Sequence, residues 1–230
     1  PICCLLIFLR LEIFYGSDIK APFTDDFYYY LKTSKNFIEN GVISFDNISS
    51  TNGFQPLWFL YISFLYLVIN NEIIFNSTII ISIFILFFFS YFNFKKFLIK
   101  NNFSSFDSHL ISSLISYLVL FFSKNGMESA LAVYFFSLSL IFLNKNIIIF
   151  SLLSFLSFLS RLEFLILYFF ILSYELFFKK KILILDFFIK ILFLPLLIIL
   201  YLWINLILFG SILPESGLAK SLTKEIKINL

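Results

Sequence analysis

The chain has little charge for its length, and its positive and negative charges are nearly balanced. Only 13% of its 230 residues are charged, with a formal net charge of +3, whereas soluble domains average about 25% charged residues. Together with 60% hydrophobic residues and a mean hydropathy of +0.98, this excludes an ordinary soluble domain and indicates an integral membrane protein. The small positive charge lies in short lysine clusters between apolar runs, which argues against nucleic-acid binding.

Cysteine and histidine are also scarce. Cys3 and Cys4 are the two cysteines, and because they are adjacent within an apolar run they form neither a disulfide framework nor a metal site. We interpret them as small packed or lipid-facing side chains, with palmitoylation near a helix end as the alternative. His109 is the one histidine, and we expect an interface residue at the cytoplasmic end of a span rather than a catalyst.

Apolar runs fill most of the chain. A membrane span needs about 20 apolar residues, within a range of roughly 17 to 25. The runs predict an all-α fold, a polytopic transmembrane helical bundle forming a single domain over 1–230. Because the chain starts without methionine and ends in a polar stretch, we expect the N-terminal part of a longer protein, with its first span truncated and its C-terminal part absent. The candidate runs are 1–15, 57–70, 73–94, 107–123, 127–143, 147–160, 164–178 and 187–208.

Lysines orient these runs. Clusters at 95–100 and 179–181, together with the single Lys145, predict three cytoplasmic loops by the positive-inside rule. The polar stretch 16–56 and the other connections then face the exoplasmic side. The run 57–70 would have to enter and leave by that side, and its length of about 14 residues suits a re-entrant or interfacial helix better than a span.

The exoplasmic loop 16–56 contains an amphipathic segment. Residues 26–40 place Phe27, Tyr30 and other apolar side chains on one face at helical spacing, with Asn36 among the polar residues elsewhere, and Gly41 follows as a C-terminal cap. We therefore expect an interfacial helix whose aromatic side chains lie at the depth of the lipid headgroups. Trp58 is expected to be a further interfacial anchor.

Paired carboxylates begin this predicted helix. Asp25 and Asp26 fall in its first turn, where the helix dipole favours an ionised carboxylate. A structural role as a helix cap is the alternative, since aspartate is a common cap. A fixed anionic pair beside the bilayer, followed by three tyrosines, also suits a functional site.

Other charged residues share this side. Arg161 and Glu163 interrupt an apolar stretch, Glu128 follows a turn, and Lys220 follows the loop at 210–214. Charge within or beside membrane segments is costly and marks functional candidates. For Arg161 and Glu163 a mutual ion pair at a helix end is an equally good interpretation.

Several of these segments resemble the GT-C membrane glycosyltransferases, in particular bacterial members related to the protein O-mannosyltransferases and the lipid A aminoarabinose transferases. The resemblance extends in order along nearly the whole chain, although each match is short. It is carried by TDDFYYY at 24–30, TNGFQPLW at 51–58, NGMES at 125–129, RLE at 161–163, and FGSILP at 209–214 followed by AK at 219–220.

The resemblance implies transfer of a hexosyl or pentosyl group from a polyprenyl-phosphate donor to a glycan, lipid or protein acceptor. The active site would face the exterior of a bacterial inner membrane, and no cofactor is required. Asp25 would be the general base, with Asp26 as its partner. Gln55 stands where relatives commonly have histidine, which weakens its assignment. The expected substrate-binding residues are Arg161, Glu163, Lys220, Gln55, Asn52 and Glu128.

Two other functions remain open at this point. A transporter or flippase of lipid-linked sugars would place ionisable groups near the bilayer middle, where Asp186 and Lys190 are the nearest candidates; both lie close to the 179–181 cluster. A non-catalytic membrane scaffold would use the aspartates only as helix caps. Two adjacent carboxylates are able to hold a divalent ion weakly, but we expect no metal.

Overall fold

The protein is all-helical over the residues that its computed structural model describes, which are 23–123, 125–143, 145–178 and 184–212; for 175–178 and 184–191 only the backbone is described. The one pairing of extended residues in these ranges is an isolated bridge between Ser44 and Ser50. The helices are α1 (Asp25–Asn40), α2 (Pro56–Val68), α3 (Glu72–Lys100), α4 (Ser105–Ser123), α5 (Ser129–Phe142), α6 (Ile147–Ser160), α7 (Phe164–Phe178) and α8 (Ile184–Phe209).

Helix ends follow local side-chain chemistry. Asn71 begins α3 by accepting the N–H groups two and three residues further on, at 2.9 and 3.1 Å, and Asn146 begins α6 in the same way at 3.0 and 3.1 Å. Gly41 ends α1 with a φ of 72° and donates its N–H to the carbonyl of Phe37. The predicted glycine cap is therefore confirmed.

Three of the described helices are long and apolar enough to cross a membrane, which is consistent with an integral membrane protein; they are Glu72–Lys100, Ser105–Ser123 and Leu192–Phe209. The helices α5, α6 and α7 have 14, 14 and 15 residues, below the length of about 20 that a span needs. The predicted runs from 57 onward therefore fall on helices, within one or two residues at the ends of some, but not all of these helices reach the length of a span. The predicted truncated span 1–15, with Cys3 and Cys4, lies outside the described residues.

The short helix α2 lies beside α1. The Phe37 and Phe59 rings have centroids 5.6 Å apart, and further along the Tyr66 hydroxyl donates to Glu39 at 2.8 Å. With 13 residues, α2 is about 20 Å long, which is less than the bilayer core of about 30 Å. This length agrees with the expectation that 57–70 is not a span.

The aromatic side chains of α1 face the protein, which corrects the expectation that they lie among lipid headgroups. Phe27 is fully buried, Tyr30 is 6% exposed, and Trp58 is also fully buried rather than an interfacial anchor. Asn36, expected on the polar side, is buried as well and donates to the carbonyl of Ser44 at 2.9 Å. The loop after α1 folds back over Asn36, while Phe27 and Trp58 are covered by the turn at Gly126.

Serines allow α5 and α6 to approach each other closely. Ser151, Ser154 and Ser157 are all fully buried, and the Ser157 hydroxyl donates to the carbonyl of Ala132 at 2.9 Å. Small residues are the usual means of close helix packing in membrane proteins. Because α5 starts and α6 ends at the same end of the bundle, this packing brings residues 125–129 next to 161–163.

Lysines mark the opposite end of the bundle. Lys95 and Lys100 lie in the last turns of α3, Lys145 lies between α5 and α6, and the Lys95 ammonium donates to Nε2 of His109 at 2.7 Å. The exposed His109 therefore occupies the lysine-rich end, as expected. Because neighbouring helices joined by short connections run antiparallel, and α3, α4, α5 and α6 each pack against the next, the loops that carry the sequence motifs lie at the other end.

Candidate functional site

The loops at the motif end are connected through Tyr30. Its hydroxyl accepts the backbone N–H of Gln55 at 3.1 Å and lies 3.5 Å from Oε2 of Glu128, to which it donates. This one side chain of α1 therefore contacts the start of α2 and the start of α5. Burial raises the pKa of Tyr30, and the negative charge of Glu128 acts in the same direction, so the hydroxyl keeps its proton.

Trp58 and Gly126 form a second connection. The indole N–H of Trp58 donates to the Gly126 carbonyl at 3.1 Å, which satisfies the polar atom of a buried ring. Gly126 has a φ of 80°, and a Cβ built on it would lie 2.7 Å from a carbon of the Phe27 ring and 2.8 Å from one of Phe23. Both the backbone conformation and the space therefore require glycine at this position.

Glu128 is the buried carboxylate of the site. It is 3% exposed, and its Oε1 lies 3.6 Å from Nη1 of Arg161. Burial raises the pKa of Glu128, although its own backbone N–H and the positive charge of Arg161 act in the opposite direction. The carboxyl group accepts a hydrogen bond from the Tyr30 hydroxyl and forms an ion pair with the Arg161 guanidinium, and such pairing is how a buried acidic group is usually stabilised.

Arg161 is shared among three side chains. Its Nη1 donates to the Ser129 hydroxyl at 2.8 Å and faces Glu128, while Nε and Nη2 donate to Glu163 at 3.4 and 3.3 Å. Burial alone would lower the pKa of Arg161, but the hydrogen bond to Glu163 and the charge of Glu128 raise it, so the guanidinium stays cationic. The mutual ion pair considered for Arg161 and Glu163 is therefore present.

Asp25 and Asp26 lie in the first turn of α1, as predicted, and both are exposed. The N-cap position belongs to Thr24, whose backbone carbonyl accepts the N–H of Phe27 at 3.0 Å and whose side chain makes no cap bond. Thr24 also reaches the carbonyl of Asn125 with a long hydrogen bond of 3.5 Å. Neither aspartate occupies the cap position, so the first turn of α1 presents two exposed carboxylates beside the other motif loops.

Asn52 and Gln55 lie at the same end in different environments. Asn52 is 2% exposed, and its amide donates to the Ser211 hydroxyl at 3.1 Å, which ties the loop before α2 to the end of α8. Gln55 is half-buried, and its side-chain oxygen is buried without a hydrogen-bond partner in the described part of the chain. Lys220, the remaining predicted substrate-binding residue, lies outside the described residues.

Sequence reasoning missed several contributors. Tyr30 was placed on an apolar face, yet its hydroxyl connects two helices; the requirement that a buried tyrosine find a partner was the available signal. Ser129 and Ser211 lie inside two of the quoted motifs, but no role was assigned to either, and only the structure shows their contacts with Arg161 and Asn52.

No group of three or more potential metal-ligating side chains occurs among the residues that the structure describes. A comparison of the chain with protein-family models, curated proteins and solved structures finds no match.

Proposed function

We propose that this chain belongs to a membrane glycosyltransferase of the GT-C type, which moves a hexosyl or pentosyl group from a polyprenyl-phosphate donor to a glycan, lipid or protein acceptor. The observation that supports it is the convergence of separate motifs at one end of the helices. Tyr30 contacts Glu128 across 98 positions of sequence, Trp58 contacts Gly126 across 68, and Arg161 contacts Ser129 across 32.

The reaction couples one bond formed to one bond broken. The oxygen of the acceptor hydroxyl bonds to the anomeric carbon of the sugar, and the bond from that carbon to the phosphate oxygen breaks. The electron pair of the broken bond stays on the polyprenyl phosphate, and the hydroxyl proton passes to a carboxylate. Attack from the face opposite the phosphate inverts the anomeric centre.

Asp25 suits the role of this carboxylate better than Glu128 does. A general base must come within hydrogen-bond distance of the proton that it takes, and Asp25 is exposed at the start of α1. Glu128 is 3% exposed and is already engaged by Tyr30 and Arg161. We assign Asp25 as the base, Asp26 as its helper, and Glu128 as a group that holds Arg161 in position.

The departing phosphate needs positive charge more than it needs an acid. Fixed cations and N–H donors stabilise charge that develops in a transition state, and guanidinium groups bind phosphate through two parallel hydrogen bonds. Arg161 supplies such a group at this end of the bundle, with a side chain that is 34% exposed. Lys220 is proposed as a second cation from the sequence resemblance, and Gln55 and Asn52 as contacts to the sugar.

The proposed orientation places this end outside a bacterial inner membrane. The opposite end carries Lys95, Lys96, Lys100 and Lys145, and positively charged loops are retained in the cytoplasm. Lipid-linked sugars enter such an enzyme sideways from the bilayer, so the active site must lie within reach of the outer leaflet.

The decisive experiment measures transfer in membranes that contain the full-length protein and radiolabelled polyprenyl-phosphate sugars. Asp25→Asn should lower the transfer rate by about 10²- to 10⁴-fold, the usual contribution of general base catalysis. Asp107→Asn is the matched control, because Asp107 is also an exposed first-turn aspartate but belongs to α4; it should keep the wild-type rate.

Other outcomes favour the alternatives. Full transfer by Asp25→Asn would remove Asp25 from the chemical step. Movement of lipid-linked sugar across the membrane without any transfer would favour a flippase. If Asp25→Asn alters only the stability of the protein and leaves the binding of every lipid-linked sugar unchanged, a scaffold is favoured.

A further inference from the structure

Arg161 presents two differently occupied sides. On one side Nη1 contacts the Ser129 hydroxyl at 2.8 Å and the Glu128 carboxylate at 3.6 Å, and the Glu128 side chain is 4% exposed. On the other side Nε and Nη2 both contact Glu163, whose side chain is 63% exposed. One side of the guanidinium is thus anchored within the protein, and the other faces a solvated carboxylate.

Arg161 contacts Glu163 through two parallel hydrogen bonds, a bidentate arrangement, but both bonds are long. Nε donates to Oε2 at 3.4 Å and Nη2 to Oε1 at 3.3 Å, whereas charge-assisted hydrogen bonds are usually about 2.7–2.9 Å long. Two parallel N–H groups of a guanidinium match the oxygens of a carboxylate and of a phosphate equally well. The Nε and Nη2 side is therefore an anion-binding face occupied by an exposed carboxylate through two long hydrogen bonds.

We propose that Glu163 is a displaceable counter-ion, which neutralises the outward side of Arg161 until the phosphate of a lipid-linked ligand takes its place. Glu128 and Ser129 hold the guanidinium while this exchange occurs, so the cation does not have to be repositioned. The inference rests on the proposed function, because it takes the incoming anion to be the phosphate of a polyprenyl-phosphate sugar or of the polyprenyl phosphate left after transfer.

The exchange has a consequence that a purely structural ion pair does not share. If phosphate competes with Glu163 for the same two N–H groups, removing the carboxylate must strengthen phosphate binding. Exposed ion pairs contribute little, so Glu163→Gln should lower the Kd for a phosphate ligand by about two- to fivefold. If the Arg161–Glu163 pair were purely structural, Glu163→Gln would leave the Kd for phosphate unchanged or raise it, because losing the pair would loosen Arg161.

The test measures binding of farnesyl monophosphate to the purified full-length protein in detergent micelles. Inorganic phosphate and farnesol serve as comparison ligands that separate the anion from the lipid chain. Glu39→Gln is the matched control, because Glu39 is also an exposed carboxylate that is paired with a cation, Lys35 at 4.0 Å. The Arg161→Lys variant keeps the positive charge but has no fork, and melting curves verify that each variant is folded.

We expect Glu163→Gln to bind farnesyl monophosphate more tightly, Glu39→Gln to match the wild type, and Arg161→Lys to lose most of the affinity. Farnesol should bind equally to all four proteins. A proportional gain for inorganic phosphate would show that the anion alone displaces Glu163 and would support the inference.

Two results would overturn the inference in distinguishable ways. Arg161-dependent binding that Glu163→Gln leaves unchanged or weakens would refute the counter-ion while leaving the glycosyltransferase proposal intact. Absence of phosphate binding by both the wild type and Glu163→Gln would refute both, because the site would then not recognise the phosphate of a lipid-linked donor.

Discussion

Replacing Gly126 by alanine tests how the motif loops are held together. Gly126 has a φ of 80°, and the added Cβ would lie 2.7 Å from Cδ2 of Phe27 and 2.8 Å from Cδ1 of Phe23. An L-residue in the left-handed conformation costs about 1–2 kcal/mol, and inserting a carbon into a packed site costs typically about 1–3 kcal/mol. We therefore expect a total loss of about 2–5 kcal/mol in the free energy of unfolding.

The chain provides matched controls for the backbone part of this cost. Gly41 and Gly210 also have positive φ, at 72° and 70°, but a Cβ on either would meet no atom within 4 Å. Gly41→Ala and Gly210→Ala should therefore lose only the conformational part, about 1–2 kcal/mol. The excess loss in Gly126→Ala, about 1–3 kcal/mol, isolates the overlap with the two rings.

Thermal unfolding in detergent measures this difference. For a chain of this size an excess of about 1–3 kcal/mol lowers Tm by roughly 2–12 °C more than in the controls. Transfer activity should also fall more in Gly126→Ala than in the two controls. Asp25 lies two residues before Phe27 in α1, so a shift of Phe27 also shifts Asp25, and a misplacement of about 1 Å costs on the order of 10²-fold in rate. Equal Tm losses in all three variants would refute the packing of α1 against the 125–128 loop.

Two further variants test the buried groups of the site. Burial raises the pKa of Glu128, so the stabilisation from its protonated form is fully present below the unfolded pKa of about 4.3 and is lost as the pH rises through the folded pKa. The Tm of Glu128→Gln should therefore rise relative to that of the wild type as the pH rises. A Tm difference that does not change with pH would contradict the raised pKa. Trp58→Phe removes the donor to the Gly126 carbonyl and should lower the free energy of unfolding by about 1–3 kcal/mol. The control Trp203→Phe, at a 58% exposed position, should leave Tm unchanged. Equal losses of Tm in the two variants would place Trp58 outside the core.

The helices were predictable because their signals are local. Apolar length identifies a helical run, and the cap at Gly41 and the first-turn placement of Asp25 follow from residues within a few positions. The location of the motif loops opposite the lysines was also predictable, since helices joined by short connections alternate in direction. None of this required knowledge of which helices touch.

Burial of individual side chains was not predictable in the same way. Phe27 and Trp58 were expected to contact lipid headgroups but are fully enclosed by protein. In a membrane protein an apolar side chain finds a favourable environment against either lipid or another helix, so hydrophobicity alone does not choose between the two. For these two side chains the choice depends on packing against the turn at Gly126, to whose carbonyl Trp58 donates and against which the Phe27 ring lies.

The sequence by itself determined an all-helical protein, the approximate bounds of its helices, and the set of polar residues gathered at one end. Only the tertiary structure decided that Glu128 is enclosed while Glu163 is solvated, and that Arg161 lies between them. The reason is that the environment of a carboxylate depends on residues distant in sequence. Tyr30 lies 98 positions before Glu128, and Arg161 reaches it only because buried serines allow α5 and α6 to pack closely.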